Sequence, residues 1–219
     1  MNSTESPPTK KPGHGVEWVI WGALAVTIVV IAVAFVRTRV QEGTLRVPLS
    51  ELGRVPEFTL TNQSDQKVSL SNLLGQVWVT DVIFTRCPMS CERMTQRMQA
   101  LSKQIPARLP VKFVSITTDP GFDSPAVLTK YAERHEADSS RWHFLTGIKS
   151  NVYQLSVAGL KFAILDNTNQ VVPDDLFLHS THFTVVDKRG YIRGVFDGTE
   201  DEDRRQLLLA VKKLAREKN

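Results

Sequence analysis

The spacing of apolar positions changes several times along this chain, and each change predicts an element. Residues 18–36 are apolar and uncharged, bracketed by Glu17 and Arg37. As a helix this stretch matches a bilayer core of roughly 30 Å, and Trp18 and Trp21 suit the headgroup boundary at one end. Further on, residues 56–61 read as a short strand ended by Asn62-Gln63-Ser64-Asp65. Residues 67–70 alternate and lead into a one-turn element over 71–75. Residues 77–84 are β-branched and aromatic, which predicts a central strand. The pattern then becomes helical, with Met94, Met98, Leu101 and Ile105 on one stripe before Pro106 and Pro110.

A second strand is predicted over 111–117, ending at Asp119-Pro120. A helix follows with Ser124 at its N-cap, Pro125 at its first position and Leu128, Tyr131 and Ala132 on its apolar face. Residues 182–186 and 191–196, joined by Asp187-Lys188-Arg189-Gly190, predict a hairpin. The last helix opens with Thr199-Glu200-Asp201-Glu202 and closes with Lys212, Lys213, Arg216 and Lys218, a charge order that complements its dipole. Strand–helix–strand–helix, then hairpin–helix, predicts a single α/β layer sandwich.

Four segments follow: a disordered Pro/Ser/Lys-rich tail over 1–17, a transmembrane anchor over 18–36, a linker over 37–52, and the folded domain over 53–219. A cleaved signal peptide is the alternative for the apolar run. The run is long for one, and no Ala-x-Ala-like site precedes the domain, so an uncleaved single anchor is expected. Lys10 and Lys11 before the span and Arg37 and Arg39 after it leave orientation undecided by charge. The net charge of +4 comes from interspersed acids and bases. No basic stripe interleaved with aromatics points to nucleic acid.

The chemistry converges on the two cysteines of the chain, in Phe84-Thr85-Arg86-Cys87-Pro88-Met89-Ser90-Cys91. Four residues is about one helical turn, so both sulfurs lie on one face where a strand gives way to a helix. The N–H groups and dipole there favour thiolate, the form that binds soft metals and attacks disulfides. Copper binding and disulfide exchange both remain open for this pair. A passive disulfide closing so small a loop removes little chain entropy. A reactive pair at this junction places the chain among thioredoxin-like domains, and the three-residue spacer, wider than their usual two, eases metal ligation. Soft ligands select Cu(I), and two thiolates need a third partner.

Five histidines are candidates for that partner. His14 lies in the tail. His135 and His143 flank Ala137-Asp138-Ser139-Ser140 and read as surface residues on a helix end and loop. His182 reads as a strand residue. His179, in the long loop over 167–180, can reach back to the cysteine turn, and position alone leaves it balanced against a simple turn histidine. Met94 and Met98 read as core. Met89, between the cysteines, stays outside the ligand set.

Taken with their order, these residues resemble the SCO/SenC proteins, thioredoxin-fold factors that assemble cytochrome c oxidase. The likeness spans most of residues 53–198. It rests on the cysteine motif, on Ser115-Ile116-Thr117-Thr118-Asp119-Pro120-Gly121-Phe122-Asp123-Ser124-Pro125, on Trp142-His143-Phe144-Leu145-Thr146-Gly147, and on His179-Ser180 ahead of Phe183-Thr184-Val185-Val186-Asp187-Lys188-Arg189-Gly190. An N-terminal anchor is also similar to this family. The resemblance implies Cys87, Cys91 and His179 as ligands of Cu(I), and also of Cu(II). It implies a domain outside the cytoplasm, periplasmic or equivalent, and the copper-centre subunit of cytochrome c oxidase as recipient, with other copper chaperones as further partners. It also implies an alternative role for Cys87 and Cys91 as a catalytic pair, a thiol–disulfide oxidoreductase reducing that subunit's cysteines. Asp119 is expected near the site but not as a ligand. Glu92 stands where many members carry proline, and Leu178 where many carry aspartate, which bears on the tuning of the histidine. The segment before Phe183 has His179 and His182 where thiol reductases usually have a proline, the nearest being Pro173. That favours metal over broad substrate handling. A peroxidase reading, prompted by Thr85 near Cys87, lacks the expected order of proline, threonine and cysteine.

Overall fold

The computed structural model describes residues 14–42, 44–46, 48–87, 90–162 and 180–217. The chain divides into two units, Met1–Thr44 and Leu45–Asn219. In the first, helix α1 (His14–Glu42) runs past both ends of the apolar stretch. Its segment Glu17–Phe35 is, among the described residues, the helix long and apolar enough to cross a membrane, and none of it is buried within the protein.

The second unit is built on a seven-stranded sheet in the order β2-β1-β5-β4-β3-β6-β7. Its strands are β1 (Thr59–Asn62), β2 (Lys67–Ser69), β3 (Val77–Ile83), β4 (Val111–Thr117), β5 (Trp142–Thr146), β6 (His182–Val186) and β7 (Ile192–Asp197). The helices are α2 (Leu70–Leu73), α3 (Ser90–Gln104), α4 (Pro125–Arg134), α5 (Lys149–Tyr153), continued by a π-helical turn over Gln154–Gly159, and α6 (Asp201–Arg216). β3, β4 and β5 are parallel, β1 and β6 flank them antiparallel, and β6–β7 is the expected hairpin. Gly190 closes the hairpin turn at φ 84°, a left-handed conformation that glycine adopts without strain.

Alternation along the strands sends side chains to two cores. Val79 and Ile83 of β3 join Phe113, Trp142 and Phe144 beneath α3, α4 and α6. Trp78 and Val82 face the other way, with Val114, Ile116 and Leu145 beneath α2 and α5. All seven residues of β3 are buried, as a strand covered on both faces requires. The apolar stripe predicted for α3 is buried through Met94, Met98 and Leu101, so both methionines are core residues.

Residues 45–46 and 48–55, in part expected as linker, pack onto the domain. Leu45 and Leu49 touch the first core. The Leu52 N–H donates to the Ile192 carbonyl at 2.9 Å, and the Arg193 guanidinium donates to the Leu49 carbonyl at 2.7 Å.

Two histidines depart from the sequence expectation. His135, expected on the surface, follows α4 at its C-cap with only 4% exposure and lies 4.6 Å from the Tyr131 ring, centroid to centroid. His143, expected in a loop, sits half-buried in β5, paired in register with Val114. The cause is β5 itself, which is short and follows a cluster of turn residues. Buried Gln63 secures this strand by spanning it. Its Nε2 donates to the Trp142 carbonyl at 2.8 Å, and its Oε1 accepts the Phe144 N–H at 2.9 Å.

Candidate thiol and metal site

β3 ends at Ile83 and feeds directly into the cysteine turn. The Cys87 N–H donates to the Phe84 carbonyl at 3.1 Å, closing the turn before α3 begins at Ser90. At the start of α3 the Cys91 N–H points at the Cys87 sulfur, 3.4 Å away, and the Ser90 hydroxyl lies 3.1 Å from the same sulfur. The helix terminus therefore serves Cys87, as the spacing predicts. Pro88 and Met89 lie outside the described residues.

The two thiols are unequal. Cys87 is half-buried, whereas Cys91 is only 5% exposed and packs in the first core with Met94. Burial pushes the Cys91 thiol well up, and the neighbouring Cys87 and Asp81 push it further. A partner or metal thus meets Cys87 first, and Cys91 must lose its proton to join. Among the described residues the two are thiols, not a disulfide.

The loop after β4 braces the turn from below. Asp123 is fully buried and accepts three hydrogen bonds: from the Thr85 N–H at 3.1 Å, from the Thr85 hydroxyl, and from the Thr117 hydroxyl. Asp119 holds Arg86 through Nη2 at 2.6 Å and Nε at 3.2 Å, and the guanidinium lies 4.3 Å from the Phe122 ring centroid. Asp119 is therefore near the cysteines, as expected, and it acts on Arg86. Neither Asp123 nor the Arg86–Phe122 contact was evident from sequence. The pairing of a carboxylate with Thr85 depends on β3 and β4 lying side by side.

Glu92, in the first turn of α3, faces His135: the His135 Nε2 is 3.3 Å from a Glu92 carboxylate oxygen, though not aligned as a hydrogen bond. Burial lowers the His135 pKa, against the pull of Glu92. Burial likewise lowers that of His143.

One further buried acid stands on β3. Asp81 has zero exposure, and burial raises its pKa to about 7, tempered by the neighbouring Ser115 hydroxyl. The sequence signal was a lone aspartate in an otherwise apolar strand.

Among the described residues no cluster of three or more His, Cys, Asp or Glu side chains forms a metal site. Cys87 and Cys91 supply two soft sulfur donors on adjacent turns, a donor set that suits Cu(I). His179 and Leu178 lie outside the described residues. His182, expected as a strand residue, opens β6 and is exposed.

A family model for SCO1/SenC matches residues 50–216. The chain belongs to the SCO1/SenC family. It is 31% identical over 160 residues to the SCO1 protein homolog of Bacillus subtilis (strain 168), covering 72% of this chain and 81% of that one. The structure of BsSco, a member of the Sco family of cytochrome c oxidase assembly proteins in which a disulfide switch was identified, superposes with a TM-score of 0.65 at 31% identity. That match covers 78% of this chain and 98% of the other. Copper-bound ScoI of Arabidopsis thaliana shares the fold with a TM-score of 0.61 at 18% identity, covering 74% and 99% of the two chains. The thioredoxin-like architecture expected from the cysteine junction is thus the fold of this SCO1/SenC protein.

Proposed function

We propose that this SCO1/SenC protein is a membrane-anchored copper carrier that helps assemble the binuclear copper centre of cytochrome c oxidase. Copper is its cargo, held as Cu(I) by Cys87, Cys91 and His179. The observation that carries the reading is the cysteine pair at the start of α3, one thiol half-exposed to receive the metal and one buried to retain it. Chain direction supports the third ligand. β6 runs antiparallel to β3, so it begins at the end of the sheet where β3 passes into the cysteine turn, and His179 precedes it by three residues. The segment Glu17–Phe35 anchors the protein, with the domain outside the cytoplasm facing the oxidase subunit.

The test is a competition titration of the full chain in detergent against a Cu(I) chelator, beside His179→Ala. One Cu(I) per chain, bound tightly by the native protein and severely weakened in the variant, is expected. Unchanged stoichiometric binding in His179→Ala removes the histidine from the ligand set.

A second reading is favoured by the sulfur environment itself. The amide and hydroxyl gathered around Cys87 stabilise negative charge on sulfur, which equally suits attack on a partner's disulfide. In that role Cys87 attacks and Cys91 resolves, leaving the oxidase subunit's cysteines reduced before metal insertion and the pair itself oxidised until a reductant restores it.

A further inference from the structure

We propose that Arg86 and Phe122 form a docking platform beside Cys87 for an acidic protein segment, one that carries a carboxylate and an apolar side chain next to its own cysteine. The inference deepens the proposed function, resting on Cys87 as the sulfur that first meets a partner.

Topology puts the platform where a partner must pass. β3, β4 and β5 run parallel, so the turns that follow them lie side by side at one end of the sheet. The turn after β3 carries Arg86 and Cys87, and the turn after β4 carries Asp119 and Phe122. The Thr118 N–H donates to the Ile83 carbonyl at 2.8 Å and ties the second turn to the first. A segment that brings a sulfur to Cys87 has its next residues only about 3.3–3.6 Å further along an extended chain, within reach of both turns.

Phe122 is held outward. Among the described residues of Leu45–Asn219 it is the one aromatic residue at the exposed surface, with 45% of its area accessible. Its turn is tightly closed. The Phe122 and Asp123 N–H groups donate to the Asp119 carbonyl at 3.1 and 2.9 Å, and the Ser124 N–H donates to the Phe122 carbonyl at 2.8 Å. Buried Asp123 then locks the turn to Thr85 and Thr117. An aromatic ring fixed at the surface is the kind of side chain that anchors protein interfaces.

Arg86 supplies the charge. Its guanidinium lies 4.3 Å from the Phe122 ring centroid, and Asp119 holds it through Nε and Nη2. The Arg86 side chain is 54% exposed, whereas Asp119 is buried, so this ion pair shows its cation to solvent and its anion to the interior. Asp123, the other acid of the turn, is buried as well. Further from Cys87 stands exposed Lys149, 5.7 Å from the Tyr153 ring centroid, and Tyr153 is near enough to Asp119 to feel its charge. The outward charges on this side of Cys87 are therefore cations set beside aromatic rings. That surface complements a carboxylate flanked by an apolar side chain. A planar guanidinium already fixed from behind loses little freedom on gaining such a partner.

The probes are disulfide-linked dimers of acetyl-Leu-Cys-Asp-amide and of acetyl-Leu-Cys-Lys-amide, each mixed at low salt with the reduced, metal-free full chain in non-ionic detergent. Cys87 thiolate attacks one peptide sulfur, forming a mixed disulfide and expelling the other peptide as thiolate. Loss of the reduced chain, read by intact mass after acid quenching, gives the rate. Dividing by the rate of mercaptoethanol with the same dimer removes the difference in leaving group. The native protein is expected to prefer the aspartate dimer about fivefold. Arg86→Gln and Phe122→Ala should each lose most of that preference. Phe122→Ala changes no charge, so its loss reads contact rather than the field of the whole protein. Equal rates with the two dimers in the native protein overturn the proposal without any variant. Faster reaction with the lysine dimer overturns it too and points to a basic partner. A preference kept in full by either variant also overturns it. No reaction with either dimer defeats the reading of Cys87 and this inference with it, an outcome distinct from a reactive Cys87 that ignores charge.

Discussion

Cys91→Ser abolishes retention of Cu(I) while leaving Cys87 able to attack a disulfide. A serine hydroxyl stays protonated and is a hard donor, so one of two soft ligands disappears. The affinity loss should exceed the roughly 10–100-fold typical of losing a residue that merely supports a ligand. Because Cys91 is 5% exposed, the serine hydroxyl is also buried and costs about 1–3 kcal/mol if left unpaired. Cys91→Ala removes the sulfur without adding that hydroxyl and should lose copper to the same degree. In either variant the mixed disulfide formed at Cys87 has no resolving thiol and persists. Competition with a Cu(I) chelator and intact-mass detection of the trapped adduct read the two consequences separately. Native-like copper affinity in both variants would contradict the assignment of Cys91.

The second large effect is on stability as a function of pH. Asp81 ionises at the ordinary 3.8 in the unfolded chain and at about 7 in the fold. Between those values the folded state keeps a proton that the unfolded state releases. Stability contributed by the protonated acid is therefore complete below about pH 4 and lost as pH rises to about 7, a change of about 4 kcal/mol. Asp81→Asn removes this dependence. The lowered pKa values of His135 and His143 act in the opposite direction, since both imidazoles are favoured neutral, but they act equally in both proteins and cancel in the difference. Urea denaturation of the full chain in detergent, followed by tryptophan fluorescence, should show the variant gaining on the native protein as pH rises from 4 to 7. Parallel stability curves would mean that Asp81 ionises normally.

Much of the fold was legible because its elements obey one period each. The run at 77–84 is β-branched and aromatic, and it is the central strand. Met94, Met98 and Leu101 repeat at helical spacing, and they line the buried face of α3. The hairpin was marked by Asp187 and Gly190 between two apolar runs. β5 was not assigned, since five residues after a turn-rich segment carry too little alternation to separate from a loop. That omission misplaced His143, and His135 looked exposed because Glu92 and Gln99 of α3, which meet it, are distant in sequence.

The candidate site was readable only in part, for a related reason. Two cysteines one turn apart announce their chemistry locally. Asp123 and Asp81 acquire their surroundings from the fold: a threonine of the cysteine turn and one of β4 for the first, full burial within the core for the second. The approach of His179 to the cysteines that the proposed function requires is likewise long-range, and the described residues fix only where the strand that follows it begins.

The central claim is that copper is held by both cysteine sulfurs together with the His179 imidazole. X-ray absorption at the copper edge, on the full chain in detergent loaded with one equivalent of Cu(I), reads those ligands directly. The account predicts a three-coordinate shell of two sulfurs and one nitrogen, losing a sulfur in Cys91→Ala and the nitrogen in His179→Ala. A shell of oxygen and nitrogen alone, or one unchanged in both variants, would contradict it.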